Sequence, residues 1–135
     1  MKKLLIGLAL LGSISSFASS NCNLKITGWT TGGVGSVVRT SVETSMEQKG
    51  YDQVLNGESY GLYYETFDSS PDLGEARIFS KVVMTNSNGQ ELLNKQILGS
   101  GIVFFNKPKG AIEETTSDAI KLIPTCEKLK KLENL

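Results

Sequence analysis

Cys22 and Cys126 are the residues whose type and spacing point most directly to a reaction, and they are the only cysteines in the chain. They stand near its opposite ends, and two thiols allow a single intramolecular bridge. In an oxidising compartment an even cysteine count in a small domain favours a structural disulfide. A catalytic redox pair would read Cys-x-x-Cys with a thiolate at a helix start, and that motif is absent. Closing a loop of about 100 residues is worth about 4.7 kcal/mol in the chain-entropy model, and real bridges often deliver less. The rival fate of Cys22 is acylation in a lipoprotein. That needs a small residue directly before the cysteine, where Asn21 stands.

The chain has no histidine. This removes the commonest general base, the Ser-His and Cys-His nucleophile pairs, and the usual zinc ligand sets. Paired carboxylates are the remaining route to acid–base chemistry, and glycosidases hold two of them roughly 5 to 9 Å apart. Asp68, Asp72 and Glu75 share one loop, with Glu65 on the strand before it. A solvated turn explains the loop acids, and weak calcium binding is the other use such oxygens have. Gly32-Gly33-Val34-Gly35-Ser36 has the look of an anion-cradling loop. Val38 stands where a third glycine is needed, and no Gly-Lys-Ser/Thr occurs, so the segment reads as a plain connection.

The remaining candidate is a surface. Tyr63, Glu65 and Phe67 alternate along one stretch, and Arg77, Phe79 and Lys81 along another. On two paired strands these six would share one flat, half-apolar face, as in sites that bind peptides, sugars or proteins. The same residues could instead stabilise a bare sheet through cross-strand contacts. Residues 102–105 or the C-terminal tail could also cover it.

The elements that must carry these groups are legible from periodicity. Asn23 to Thr27 alternates as a strand. A helix follows, with Ser36 as N-cap, Val38, Val42 and Met46 on its apolar face, Gly50 at C′ and Tyr51 at C″. Asn56-Gly57 marks a turn. Tyr60–Phe67 and Arg77–Thr85 read as strands joined by the turn-rich 69–74. Asn88-Gly89 is a hairpin signal returning as Gln90–Leu98. Ile102 to Phe105 is a strand or a buried loop. A second helix lies within Ala111–Ile123 and stops near Pro124. Leu129, Leu132 and Leu135 give the tail weak helical spacing.

With Asp72 central in its loop, Tyr63, Glu65 and Phe67 face Lys81, Phe79 and Arg77. Leu62, Tyr64 and Thr66 then face Val82, Ser80 and Ile78 on the opposite, apolar side. A two-residue turn at Asn88-Gly89 sets Gln96 opposite Lys81 and Leu98 opposite Phe79, and turns Lys95 towards the core face. A three-residue turn would oppose Lys81 and Lys95 instead, a like-charge pair.

The N-terminus reads as a secretory leader over 1–18. Lys2 and Lys3 precede an apolar run from Leu4 to Ile14, and Ser16-Phe17-Ala18 gives the cleavage pattern before Ser19. The run is too short to span a bilayer, which takes roughly 20 apolar residues. Residues 19–135 then form one small α+β domain in the order β-α-β-β-β-α. The expected sheet has about four antiparallel strands, with two helices on one face. The composition, 14 basic against 14 acidic residues with no basic stripe, speaks against nucleic acid. No cofactor, metal ligand set or catalytic residue is expected. The expected role is a periplasmic or secreted binding protein that uses the exposed sheet face or an edge strand, with an envelope protein, peptide or glycan as partner. The alternative is a small carboxylate-dependent hydrolase of envelope glycans or peptides.

Overall fold

The computed structural model describes residues 22–69, 73–104 and 108–134. The expected leader over 1–18, together with Asp72 and Phe105, lies outside the described residues. In chain order the elements are β1 (Asn23–Thr30), α1 (Gly35–Gln48), β2 (Asp52–Gln53), β3 (Tyr60–Asp68), β4 (Leu73–Thr85), β5 (Glu91–Phe104), α2 (Lys109–Ile120) and α3 (Cys126–Glu133). The five strands form one sheet in the order β2-β1-β3-β4-β5. The α+β class holds, with a mixed sheet and three helices in place of four antiparallel strands and two. The physical reason is the connection through α1: a strand–helix–strand crossover returns parallel, so β1 runs parallel to β3.

Val38, Val42 and Met46 are all buried, which seats α1 on the sheet. The helix begins at Gly35 without a side-chain cap, so Ser36 lies in its first turn and is not its N-cap. Its end follows the expected Schellman pattern. Gly50 has φ 93°, its N–H donates to Glu47 O at 2.9 Å, and Tyr51 N–H donates to Met46 O at 3.1 Å. The tail is a true helix, α3, capped by Thr125, whose Oγ1 accepts from Lys128 N at 3.3 Å. Glu127 in its first turn and Lys130 and Lys131 in its last suit the helix dipole. Leu129 and the Cys22–Cys126 disulfide, with Cα atoms 5.9 Å apart, dock it to the start of β1.

Alternation divides the sheet into two faces. Leu62, Tyr64, Thr66, Ile78, Ser80 and Val82 point into the core beneath α1 and α2. A buried hydroxyl chain ties sheet to helix there. Thr66 Oγ1 lies 2.8 Å from Ser80 Oγ and 2.7 Å from Thr116 Oγ1, and Thr116 donates to Ile112 O. Each hydroxyl gains a partner, as burial of polar atoms requires.

Both hairpins keep the expected faces, but the first differs in register. Phe67 pairs with Phe79, Glu65 with Lys81 and Tyr64 with Val82, two residues along from the expected pairing. The second hairpin keeps Lys81 opposite Gln96 and Phe79 opposite Leu98, with Lys95 opposite Val82. Its turn is nevertheless longer than two residues. Gly89 N–H donates to Asn86 O and Asn86 N–H to Gln90 O, with Gly89 at φ 81°, and a register shift between Met84 and Thr85 restores the pairing beyond it. Lys95 escapes burial because β5 is the sheet edge.

Candidate functional site

The sheet face opposite the helices gathers Tyr63, Glu65, Phe67, Phe79 and Lys81 into one patch, with Arg77 exposed on the same face nearer the β3–β4 connection. In the observed register Phe67 sits directly across from Phe79, with ring centroids 5.2 Å apart and planes 21° apart. Trp29 extends the row, its ring 6.2 Å from Phe67 and inclined by 17°. Leu98, opposite Phe79 and 71% exposed, closes it on β5. A stripe of apolar side chains therefore crosses β1, β3, β4 and β5.

Trp29 is the site residue that the sequence reading missed. The alternation Lys25, Thr27, Trp29 continues to the end of β1, and following it past Thr27 would have placed the indole on this face. Its Nε1–H donates to Tyr63 Oη at 2.9 Å, and Tyr63 in turn donates to Glu65 Oε1 at 2.7 Å. The bond to Glu65 is the main reason the Tyr63 phenol is held above its ordinary pKa, since the carboxylate favours the protonated hydroxyl. This relay fixes the indole and the carboxylate on one rim of the stripe. Across it, Phe67, Phe79, Lys81, Gln96 and Leu98 line a shallow concavity of about 400 Å³.

Among the described residues, Glu65, Asp68 and Glu75 do not assemble into a hydrolytic pair. Asp68 turns to the core side, where it is buried and accepts a hydrogen bond from Thr31 Oγ1 at 2.7 Å. Glu65 faces solvent on the other side. Glu75 shares the outer face, but it is six residues along β4 from Lys81, the partner of Glu65. That is roughly 20 Å at strand rise, against the 5 to 9 Å that glycoside cleavage needs. Among the described residues no group of three or more Cys, Asp and Glu side chains converges as a metal site would require.

A second concavity, of about 360 Å³, opens at the end of the sheet between Asn23, Glu58, Tyr60, Asn86, Asn88 and Glu133. Tyr60 Oη donates to the Glu133 carboxylate. Burial, then that bond, push the phenol up to about 12. Gly57-Glu58-Ser59-Tyr60-Gly61 here has the Gly-x-Ser-x-Gly spacing of serine hydrolases. The context is wrong for that chemistry: Ser59 leads into a strand rather than out of one into a helix, and no histidine exists to activate it.

Among the described residues no helix is long and apolar enough to cross a membrane. No protein-family model matches the chain, and no curated protein matches it in sequence. Solved structures do match. A minor lipoprotein from Acinetobacter baumannii gives a TM-score of 0.46 at 11% identity, covering 79% of this chain and 93% of that one. A PelC dodecamer from Paraburkholderia phytofirmans gives 0.51 at 8% identity, covering 78% of this chain and 90% of that one. At these identities the likeness to the PelC subunit is one of fold.

Proposed function

We propose that this is an exported, non-enzymatic binding protein whose contact surface is the outer face of its sheet. The observation that carries the reading is the stripe Trp29–Phe67–Phe79–Leu98 on the side away from the helices, with Trp29, Phe67 and Leu98 exposed and Phe79 half-buried between them. Contiguous apolar patches rimmed by polar groups mark interaction sites on small domains. Here Glu65, Lys81 and Gln96 supply the polar rim, and Arg77 extends it. The disulfide supports an oxidising compartment. Together with the leader read over 1–18, it favours the periplasm or the extracellular space. The partner is an envelope protein, peptide or glycan, and nucleic acid is disfavoured by acids standing among the few bases of the face. The hydrolase alternative loses support from the distance between the outward acids.

Trp29 is the sole tryptophan and sits in the stripe, so its emission reports on occupancy. Titrating envelope glycans and peptides into the parent and into Phe79→Ser tests the reading. A ligand that shifts the parent's emission and fails to bind the variant, at an unchanged fold, supports it. Equal binding by both would make the face structural.

A further inference from the structure

Among the described residues β5, Glu91–Phe104, is a long edge of the sheet with no further strand beyond it, and its hydrogen-bonding direction can be assigned residue by residue. Ser69 N–H donates to Arg77 O at 2.9 Å. Antiparallel ladders alternate, so Arg77, Phe79 and Lys81 bond to β3, while Ile78, Ser80 and Val82 bond to β5 through Gly99, Ile97 and Lys95. The backbone groups of Asn94, Gln96, Leu98, Ser100 and Ile102 therefore point outward from the sheet edge. They form a row of donors and acceptors roughly 27 Å long.

Proteins ordinarily blunt such an edge with proline, lysine, a bulge or a covering element. Along Asn94–Ile102 there is no proline and one lysine, Lys95, and the register shift lies outside the stretch, beyond Leu93. The edge also carries Leu98 and Ile102, 71% and 64% exposed, on the outer face. A row of alternating N–H and C=O groups at this spacing is matched by another extended polypeptide, not by a glycan or a lipid.

The position of α2 selects which polypeptide. The helix covers the inner side of β5 together with β4 and β3: a Cβ added to Gly101 would stand 2.6 Å from Ala111 Cβ, one added to Gly99 would overlap Thr115, and Thr116 bonds to Thr66. A second copy pairing its own β5 antiparallel across this stretch would set the exposed acids of a second α2, Glu114 and Asp118, against those of the first. A bare strand brings no second set of acids. Thr116 and Ile120 face α1 across a groove with Val38 and Val42. Helical spacing then places Glu114 and Asp118, both exposed, on the opposite flank, above the space beside β5. Asp118 is partly engaged by Lys121 at 3.4 Å, which leaves Glu114 as the stronger attractor for a cation.

We infer that the β5 edge from Asn94 to Ile102 accepts an extended peptide of a partner protein as an added strand. The peptide is apolar where it meets Leu98 and Ile102 and basic where it passes Glu114. This is strand addition, with the backbone giving affinity and alternate side chains giving specificity. It shares Leu98 with the aromatic stripe but rests on the backbone edge of β5, so the two readings are separated by Phe79→Ser on one side and Ser100→Pro on the other.

The probe is a capped peptide of about eight residues alternating valine and lysine, long enough to span the stretch. The full chain, disulfide intact, is titrated with it while amide hydrogen exchange is followed. Slowed exchange at Gln96, Leu98 and Ser100 is expected, with no change at their neighbours already bonded to β4. Ser100→Pro deletes one outward N–H, a position where an edge strand tolerates proline, and should weaken binding about tenfold or more. Glu114→Lys, on an exposed helix face, should reverse the preference to a valine–glutamate peptide. Phe79→Ser should leave this binding in place. Unchanged exchange at saturating peptide, or undiminished affinity in both Ser100→Pro and Glu114→Lys, would overturn the inference. So would slowed exchange of those amides without peptide as concentration rises, since the occupant would then be a second copy.

Discussion

Phe67 and Phe79 are direct cross-strand partners, and Phe67 also touches the Trp29 ring, so one side chain links both halves of the outer stripe. Its removal separates two contributions. Phe67→Ala should cost about 1 to 2 kcal/mol, the scale of one or two aromatic cross-strand contacts. It should also move Trp29 emission towards longer wavelength as the indole gains water. Chemical denaturation followed by both fluorescence and circular dichroism measures the two effects. A stability change within a few tenths of a kcal/mol would mean that the stacked rings carry little of the fold and are free to serve binding.

The disulfide gives the second prediction. Cys22 and Cys126 are 104 residues apart and join the start of β1 to the start of α3. Reduction, or replacement of both by serine, should lower stability by about 2 to 5 kcal/mol, with the chain-entropy value near the top of that range. Because Cys126 N–H donates to Lys49 O at 2.8 Å, Leu129 is buried and Tyr60 bonds to Glu133, α3 keeps other tethers and should loosen rather than detach at once. Amide exchange in α3 should rise before global unfolding. Intact mass of protein recovered from the producing cell, before and after reduction, tests the pairing directly. An acylated Cys22 would contradict it, since one sulfur cannot hold both bonds.

Much of this architecture was readable from alternation, and what was not has specific causes. Val38, Val42 and Met46 marked the buried side of α1, and Gly50 its end, because helical period and left-handed glycine are local properties. The two faces of β3 and β4 followed for the same reason. Their register did not, since it depends on where the strands stop. Ser69 bonds to Arg77, so the pairing is centred on residue 73 rather than 72 and every partner moves by two residues. The parallel partner of β1 was implied by a helix lying between two strands, a clue in connectivity rather than in any residue. The outer stripe was legible except at one end: Phe67, Phe79 and Leu98 stood in alternating runs, whereas Trp29 needed β1 to be followed past Thr27. An edge strand was among the expected contact surfaces, but that β5 forms it was not legible, because edges are a property of strand order.

Gly99 and Gly101 are required by helix contact rather than by turn geometry, and that yields a third prediction. Gly101→Ala would drive its Cβ to 2.6 Å from Ala111 Cβ, and Gly99→Ala would collide with Thr115. Each should destabilise by about 1 to 3 kcal/mol, the range for overpacking. Gly89→Ala, in the open turn with φ 81° and no atom near a new Cβ, should cost about 1 kcal/mol through backbone strain alone. Comparison of the three by urea denaturation separates the causes. If Thr115→Ala restores the Gly99→Ala variant, the cost is steric; if it does not, the strand itself resists a side chain.

The last prediction concerns alkaline pH. Tyr51 and Tyr60 meet edge to face with centroids 6.4 Å apart. Tyr51 Oη donates to Pro124 O at 2.8 Å, and Tyr60 Oη donates to Glu133. Burial is the leading cause of a raised pKa at both. Tyr60 is pushed to about 12, and Tyr51, buried more deeply, is also raised. A phenol whose pKa is higher in the fold than in the unfolded chain binds its proton more tightly when folded. Its contribution is therefore complete below the unfolded value near 10, and is lost as pH rises through the folded value. Stability should thus fall between about pH 10 and 12, and phenolate absorbance from these two rings should appear together with unfolding rather than ahead of it. Tyr60→Phe keeps the ring and removes one titrating group, so stability should fall less steeply with pH across that window. An identical slope in the variant would show that Tyr60 ionises freely in the fold, and that Glu133 does not hold its proton.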